Sequence, residues 1–481
     1  MKNFYLIACF LYAATAVGQV GTPITGRLCR WGALQQDDQI MGHYSVTAVP
    51  NEELEAEIYT VALFDADLAA IGTKTYPALI EFSVEDVAYN GAHLGVLIQD
   101  DGIAKVELLD GTATTVASHS LREVRPGATG LVFAAGDGFL VLQQFPSKAN
   151  NPSSAVNSQL TYLPTNEAGQ GWTQRFGDPK HKLQSTYIDL LEVDDTIALL
   201  RVRNEARLGS TAEISSGLQA IDLTTGKPVL NVSLPADEPQ LAPQIVGARR
   251  YGDEIRVISN TPDYGTKREV YRGTTELLTY NLAGEQIRQH SLDLPANDPS
   301  NGMRTEYVVQ SVAFMNDGAF SLVAESIRRD KNKLTCLRQL VYGFNDAGEV
   351  QAVLPLDREP LTLPAYFLGR GGAGLLGPKM KDQRLAYFLG MHDGPFNHSL
   401  SERQGNGLHH YFWDRSFHDF NVDYRGIHAI RYLDGQFEQE YVPLQDTEIA
   451  WMSSARAGYF LVIEPQAGSG QLLPRLEKLN F

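Results

Sequence analysis

A segment late in the chain gathers most of the residues that could bind a metal ion or an organic ligand. Six of the eleven histidines lie there, together with several aspartates and aromatic residues. Imidazole and carboxylate groups suit a divalent transition metal, whereas aromatic rings suit stacking on a sugar or another flat ligand. The candidate ligand-binding residues in this segment are His392, His398, His409, His410, Trp413 and His418.

The spacing of these histidines does not identify a metal. The segment contains no His-Glu-x-x-His motif, and no cysteine lies nearby. A metal site, an organic-ligand site and an ordered loop with solvated histidines therefore all remain open. We predict no cofactor.

Two arginines are the second candidate for ligand binding. Arg328 and Arg329 begin a basic run, 328–333, which could hold an anion but is also typical of a soluble loop tip. No G-x-S-x-G nucleophile motif is present, and the carboxylate run at 52–57 is typical of a solvated surface. We therefore predict no catalytic residue, and the sequence favours a binding protein over an enzyme.

The elements that must position these residues are short β-strands in a repeating pattern. Four strands can be marked in one unit, at 186–193, 196–202, 217–223 and 227–234, and the inner ones are apolar on both faces. From Gly111 onward the turn glycines follow one another at steps of 58, 57, 58, 64 and 87 residues. Such periods indicate a radial β repeat. The turns between paired strands fall near Asp67, Gly111, Gly169, Gly226, Gly284, Gly348 and Gly435.

These seven turns predict an all-β fold, a β-propeller of seven blades with four antiparallel strands each. The tail from Glu448 contains further strands. It either closes the seventh blade with N-terminal residues or forms a blade of its own, which would make eight.

The connections between second and third strands are predicted to be long, at 146–158, 203–216, 260–275, 327–335 and 392–427. In a propeller all connections of this kind emerge on one face, and binding residues are concentrated on such loops. We therefore place the ligand-binding face there, and we describe 392–428 as a long inserted loop.

One hairpin resembles a known blade motif. Asp222, Thr225, Gly226 and Lys227 match the turn of quinoprotein-type bacterial propellers, but Val232 and Leu234 stand where that motif has a tryptophan. The full turn occurs once. The resemblance supports a secreted bacterial type of propeller and implies no quinone cofactor.

The N-terminus resembles a secretory signal. Residues 1–18 have a basic start at Lys2, an apolar stretch and a small-x-small site before Gln19, and we predict that 19–481 form a single propeller domain. A lipobox-like sequence ending at Cys9 leaves lipidation open. In the mature chain Cys29 and Cys336 would either pair or remain isolated thiols.

Charge and the predicted export signal restrict the partners. A formal net charge of −17 disfavours nucleic acid. The apolar stretch of the signal is too short to span a membrane as an anchor, and no other segment reaches about 18 apolar residues. We expect an exported monomer, either periplasmic, on the cell surface or extracellular. The predicted function is a non-enzymatic binding or scaffold propeller whose ligand is a glycan or a protein. The alternative is a polysaccharide-active propeller enzyme, a hydrolase or a lyase, that uses the same face.

Overall fold

The computed structural model describes most of the chain as β-strands. The described residues are 19–36, 39–79, 81–121, 129–145, 158–165, 171–177, 184–208, 211–234, 243–261, 274–294, 306–330, 333–364, 398–404, 406–418, 421–444, 451–466 and 468–481. Within these ranges no helix is long and apolar enough to cross a membrane.

The strands form eight sheets that follow one another along the chain. Sheet 1 contains β3 (Arg27–Gln36), β4 (Gln39–Asn51), β5 (Ala56–Asp65) and β6 (Ala70–Tyr76). Sheet 2 contains β7 (Ser83–Tyr89), β8 (Leu94–Asp100), β9 (Ile103–Leu109) and β10 (Thr115–Ser120). Sheet 3 contains β11 (Thr129–Ala135), β12 (Gly138–Gln144), β13 (Ser158–Pro164) and β14 (Trp172–Phe176). Sheet 4 contains β15 (Gln184–Val193), β16 (Ile197–Leu208), β17 (Thr211–Asp222) and β18 (Pro228–Leu234).

The next three sheets repeat the same order of four consecutive strands. Sheet 5 contains β19 (Gln244–Tyr251), β20 (Glu254–Thr261), β21 (Thr274–Asn281) and β22 (Gln286–Leu292). Sheet 6 contains β23 (Glu306–Phe314), β24 (Phe320–Asp330), β25 (Lys333–Phe344) and β26 (Val350–Pro364). Sheet 7 contains β27 (His398–Gln404), β28 (Gly407–His418), β29 (Asn421–Leu433) and β30 (Gln436–Pro443).

Sheet 8 combines the two ends of the described chain. It contains β31 (Trp451–Ser454), β32 (Tyr459–Pro465) and β33 (Gln471–Lys478), and the short strands β1 (Gln19–Val20) and β2 (Ile24–Thr25) both pair with β33. These eight antiparallel sheets are the blades of a β-propeller, which confirms the predicted fold class. The blade count is eight rather than seven, because the tail forms its own sheet and takes its outer strands from the N-terminus.

The chain divides into two compact units. The first comprises Met1–Arg122, Trp413–Ala429 and Gln439–Phe481, and the second comprises Glu123–Phe412 and Ile430–Glu438. In the first unit, apolar cores lie between sheets 1 and 2 and between sheets 8 and 1. In the second unit, cores lie between each consecutive pair from sheet 3 to sheet 7. Inner strands are therefore apolar on both faces, as the sequence pattern predicted.

The turn after β17 shows why Asp and Gly recur between paired strands. The Asp222 carboxylate accepts hydrogen bonds from the backbone N–H and the hydroxyl of Thr225, at 2.7 and 2.8 Å. Gly226 has a φ of 69°, in the left-handed region that favours glycine. Its Cα lies against the indole ring of Trp172, on the outer strand of the preceding sheet, and Trp172 Nε1 donates a 2.6 Å hydrogen bond to Leu223 O.

Three regions predicted as long connections contain strands. The described residues of stretches 203–216 and 327–335 lie in the β16–β17 and β24–β25 strand pairs, and the predicted loop 392–428 holds β27, β28 and part of β29. Hydrophobic alternation reveals strands that bury one face, and these polar stretches lack that alternation.

Of the predictions about the cysteines and the signal, only the one about Cys29 falls on a described side chain. Cys29 is a free thiol. Cys336 lies in β25, but its side chain is outside the described part, as are Cys9 and the whole predicted signal 1–18.

Candidate functional site

The structure places three of the predicted ligand-binding residues in the interior of sheet 7. His409, His410 and Trp413 all lie on β28, and all three side chains are buried. His398, His418, Arg328 and Arg329 lie in strands, but their side chains are not among those described, and His392 lies outside the described residues.

His410 joins sheets 6 and 7 through serine hydroxyls. Its Nε2 is hydrogen-bonded to the hydroxyl of Ser321 on β24, and its Nδ1 to that of Ser401 on β27, at 2.7 Å. The hydroxyl of Ser311 on β23 donates a further hydrogen bond, of 3.3 Å, to the hydroxyl of Ser401. His410 and Ser321 are both fully buried, so this Ser–His pair cannot reach a substrate and serves to satisfy polar groups between sheets.

Glu402 has the most perturbed carboxyl group of the site. It lies on β27 opposite His409, and Gln404 Nε2 donates a 2.8 Å hydrogen bond to it. Burial raises its pKa to about 7, although hydrogen bonds from Tyr411 and Gln404 partly offset that effect. Burial also lowers the pKa of His409 to about 4, with a further contribution from Arg431. A carboxyl that titrates near neutral pH can give and take a proton, which is the property of a general acid or base.

The cluster around Glu402 does not make a metal centre. Among the described residues no group of three or more His, Cys, Asp or Glu side chains could hold a metal ion. The metal hypothesis therefore has no support in the described part of the chain.

A second group of polar side chains lies at the end of sheets 3 and 4 from which the β12–β13 and β16–β17 connections leave. We call it the polar strip, and it comprises Gln144, Thr186, Tyr187, Arg203 and Asn204. The Thr186 hydroxyl donates a 2.7 Å hydrogen bond to Asn204 Oδ1, and Gln144 Nε2 donates to Ile188 O at 3.1 Å. The amide of Asn204 reaches the exposed Ser215 hydroxyl at 3.4 Å.

The other face of sheet 4 adds charge and an aromatic ring to the polar strip. The Arg203 guanidinium lies over the Tyr187 ring, 5.2 Å from its centroid. Two residues further along the same strands, Arg201 forms a 2.8 Å ion pair with Asp189. Its guanidinium also donates a hydrogen bond to Ile245 O of sheet 5. Tyr187, Arg203 and Asn204 are all partly exposed. Hydroxyl, amide and guanidinium groups bind sugar hydroxyls, and an aromatic plane can stack on a sugar ring.

Sequence patterning missed the polar strip because its members are spread over strands and belong to two sheets. Gln144 precedes one predicted connection, and Arg203 and Asn204 begin the next. The usable signal is the position of Gln144, Arg203 and Asn204 beside predicted connections between second and third strands, on the face predicted to bind the ligand.

Comparison with known proteins identifies no family for this chain. No protein-family model matches the chain, and no curated protein shows significant similarity to it. Among solved structures the chain is similar to the polysaccharide lyase Uly1, with a TM-score of 0.46 and 11% identity over 94% of this chain and 100% of that one.

Two further similarities are equally remote. The β-propeller domain of the Trilobed protease from Pyrococcus furiosus aligns with a TM-score of 0.35 and 7% identity, over 97% of this chain and 96% of that one. Prolyl oligopeptidase B from Galerina marginata aligns with a TM-score of 0.42 and 10% identity, over 93% of this chain and 55% of that one. None of these similarities transfers an activity.

Proposed function

We propose that the protein is an exported binding protein whose polar strip holds a neutral glycan. The observation that supports this is the combination of Thr186, Tyr187, Arg203 and Asn204 at one end of sheet 4, with the donors and acceptors of Thr186 and Asn204 on one face and the Tyr187 ring and Arg203 guanidinium on the other. The strip lies on the face that the sequence pattern assigned to ligand binding.

The chemistry of the strip favours hydroxyl groups over a charged ligand. Arg201 is already neutralised by Asp189, and Arg203 packs its guanidinium on Tyr187. The amide and hydroxyl groups of Gln144, Thr186 and Asn204 both donate and accept hydrogen bonds, as sugar hydroxyls require. Aromatic stacking and two or three such bonds give the modest affinity typical of an open site.

Glycan-array binding followed by calorimetric titration of the best glycan tests this proposal. Asn204→Ala and Tyr187→Ala should each weaken binding about tenfold, since each removes roughly one net hydrogen bond or one stacking surface. Gln289→Ala, on the outer strand β22, is the matched control and should leave affinity unchanged. Equal affinity in all three variants, or an array without any bound glycan, would contradict the proposal.

A second candidate function is a polysaccharide-active enzyme, favoured by Glu402. A carboxyl with a pKa of about 7 beside Tyr411 suits proton transfer during glycosidic bond cleavage. This cluster lies near the β27–β28 turn, at the opposite end of the strands from the polar strip.

Turnover assays separate the two candidates. An enzyme using Glu402 should release reducing ends or unsaturated products from a polysaccharide, and Glu402→Gln should abolish that release while glycan binding persists. Binding without product formation across pH 5–9 would exclude the enzyme hypothesis and leave the binding protein.

A further inference from the structure

The end of sheet 7 from which the β28–β29 connection leaves carries an aromatic ring and polar groups that neither candidate function uses. We call this cluster the tyrosine platform, and it comprises Asp414 on β28, Gly426 and His428 on β29, and Tyr441 on the outer strand β30. All four residues belong to the first compact unit. Asp414 and His428 come from the segment whose histidines, aspartates and aromatic residues stand out in the sequence.

Tyr441 presents an exposed aromatic ring that its neighbours hold in place. The residue is 44% exposed, whereas Gly426 is buried. A Cβ on Gly426 would lie 2.4 Å from Tyr441 Cζ, so the ring packs directly on the backbone there. The Tyr441 hydroxyl donates a 3.0 Å hydrogen bond to Asp414 Oδ2, and the ring centroid lies 4.9 Å from that of His428. The ring is therefore preorganised to stack on a ligand with the side that faces water.

The polar atoms beside the ring suit hydroxyl groups. Asp414 is partly exposed, and its Oδ1 accepts no hydrogen bond from any described residue. Burial lowers the pKa of His428, against the opposing effect of Asp414, so the imidazole is neutral at neutral pH and has one donor and one acceptor nitrogen. Such an imidazole and a carboxylate oxygen can bind two adjacent hydroxyls, and the bond to the carboxylate is the stronger of the two.

The charges around the platform favour a neutral ligand. Burial and the hydrogen bond to Asp414 raise the pKa of Tyr441 to about 12, while the exposed Arg425 acts in the opposite direction. Because a carboxylate and a guanidinium both act on the same ring, an anion would meet one like charge and a cation the other. The formal net charge of −17 adds a further repulsion of anions.

We infer that the tyrosine platform is a carbohydrate-binding site, at which a neutral sugar ring stacks on Tyr441 while two adjacent hydroxyls bind Asp414 and His428. A sugar ring has an apolar C–H side for the aromatic plane and hydroxyls along its edge for the polar atoms. The site shares no residue with the polar strip and does not rest on the glycan proposal made for that strip.

Saturation-transfer NMR with neutral hexaoses of glucose, mannose, xylose and galactose tests the inference, and titration gives each affinity. At least one hexaose should bind. Tyr441→Ala should weaken its binding about tenfold or more, because the stacking surface is lost. Asp414→Asn should weaken it about tenfold, because a neutral amide replaces a charged acceptor. Gln436→Ala, which is exposed at the other end of β30, is the matched control and should leave the affinity unchanged.

Two milder variants keep the test decisive if Tyr441→Ala fails to fold. Tyr441→Phe keeps the ring and should retain the affinity within about threefold, since one hydroxyl bond is lost. Gly426→Ala keeps every ligand-binding side chain but places a Cβ where the ring lies, so it should weaken binding in a protein that still melts cooperatively.

The polar strip and the tyrosine platform are separated by their own variants. Binding that Asn204→Ala weakens and Tyr441→Ala leaves unchanged belongs to the polar strip and overturns this inference alone. Binding that Tyr441→Ala and Asp414→Asn weaken and Asn204→Ala leaves unchanged supports it. A panel in which no hexaose binds would also overturn it.

Discussion

Acidic and basic side chains that are wholly or largely removed from water lie on the inner strands and on β27 of this propeller. Glu402 is held in a state that favours its protonated form, whereas His43 and His409 are held in states that favour the neutral imidazole. The shared cause is removal from water, which disfavours whichever form carries charge. Their contributions to the free energy of unfolding therefore change in opposite directions over the same range of pH.

Glu402→Gln should make the protein less sensitive to rising pH. The folded pKa of about 7 lies above the ordinary glutamate value, so the carboxyl contributes stability below pH about 4.3 and loses it as the pH rises to about 7. The loss is on the order of 2–3 kcal/mol. Urea unfolding of both proteins at pH 4.5 and 8 measures it, with the exposed Glu254→Gln as control. Equal pH slopes in the substituted and unsubstituted proteins would show that Glu402 does not titrate in this range.

His43→Phe should make the protein more resistant to acid. His43 is fully buried on β4 beside Trp31, and neither ring nitrogen has a hydrogen-bond partner among the described residues. Burial lowers its pKa to about 4, so stability present above pH about 6.5 is lost as the pH falls to about 4, by about 3 kcal/mol. Thermal melts at pH 7 and 4.5 test this. A Tm difference between the two pH values that is unchanged by the substitution would contradict it.

At the scale of single elements, the turns after the third strands set how each sheet meets the one before it. Gly226, Gly284, Gly348 and Gly435 all have positive φ, and each lies near an outer-strand side chain of the preceding sheet. Sheet 2 reverses the arrangement, since Thr112 of its turn lies against a glycine, Gly72, on the outer strand of sheet 1. Where a turn approaches the outer strand of the preceding sheet, a glycine on one of the two segments thus leaves the space that this contact needs.

Gly226→Ala should destabilise the protein more than Gly252→Ala. Both glycines have positive φ, which costs an alanine about 1–2 kcal/mol. A Cβ at 226 would lie 2.6 Å from Trp172 Cδ2, whereas a Cβ at 252 meets nothing within 4 Å. Overpacking adds about 1–3 kcal/mol at 226 alone. Urea midpoints measure the difference, and equal midpoints would show that Trp172 moves aside without cost.

The strands and turns were largely predictable, but the partners of the candidate residues were not. Asp222 and Gly226 mark their turn by local chemistry, and the apolar inner strands follow from burial on both faces. His410 has no such local signal, because its partner Ser321 is 89 residues away. The polar residues 203–208 and 211–216 extend paired strands, yet their sequence predicts a loop, because hydrogen bonds between backbone groups do not depend on side-chain composition.

At the scale of the whole molecule, the first described strands complete the last sheet. Gln19 and Val20 pair with Leu476 and Arg475, and Arg456 forms an ion pair with Asp67 beside Gln19. The eighth sheet could not be counted from turn glycines, because its outer strands come from the other end of the sequence. The propeller class could be predicted, since seven similar turns recur along the chain.

Removal of residues 19–25 should lower the Tm and promote association. Without β1 and β2, the backbone groups of β33 that they cover become an exposed sheet edge, and such edges recruit other chains. Light scattering and thermal melts compare this truncation with a protein that begins at residue 19. A truncated protein that melts at the same temperature and stays monomeric would show that β33 does not need this cover.

The contact between Trp172 and the turn at Gly226 also makes the junction of sheets 3 and 4 visible to optical spectroscopy. The chain has four tryptophans, and the other three, Trp31, Trp413 and Trp451, lie in sheets 1, 7 and 8. A protein that keeps only Trp172 emits from an indole whose N–H is bonded to a backbone carbonyl, and separation of the two sheets shifts that emission to the red. A protein that keeps only Trp31, which packs against His43 and Phe64, reports on the first unit in turn. Fluorescence from such a pair records whether the blades open together or in sequence during denaturation.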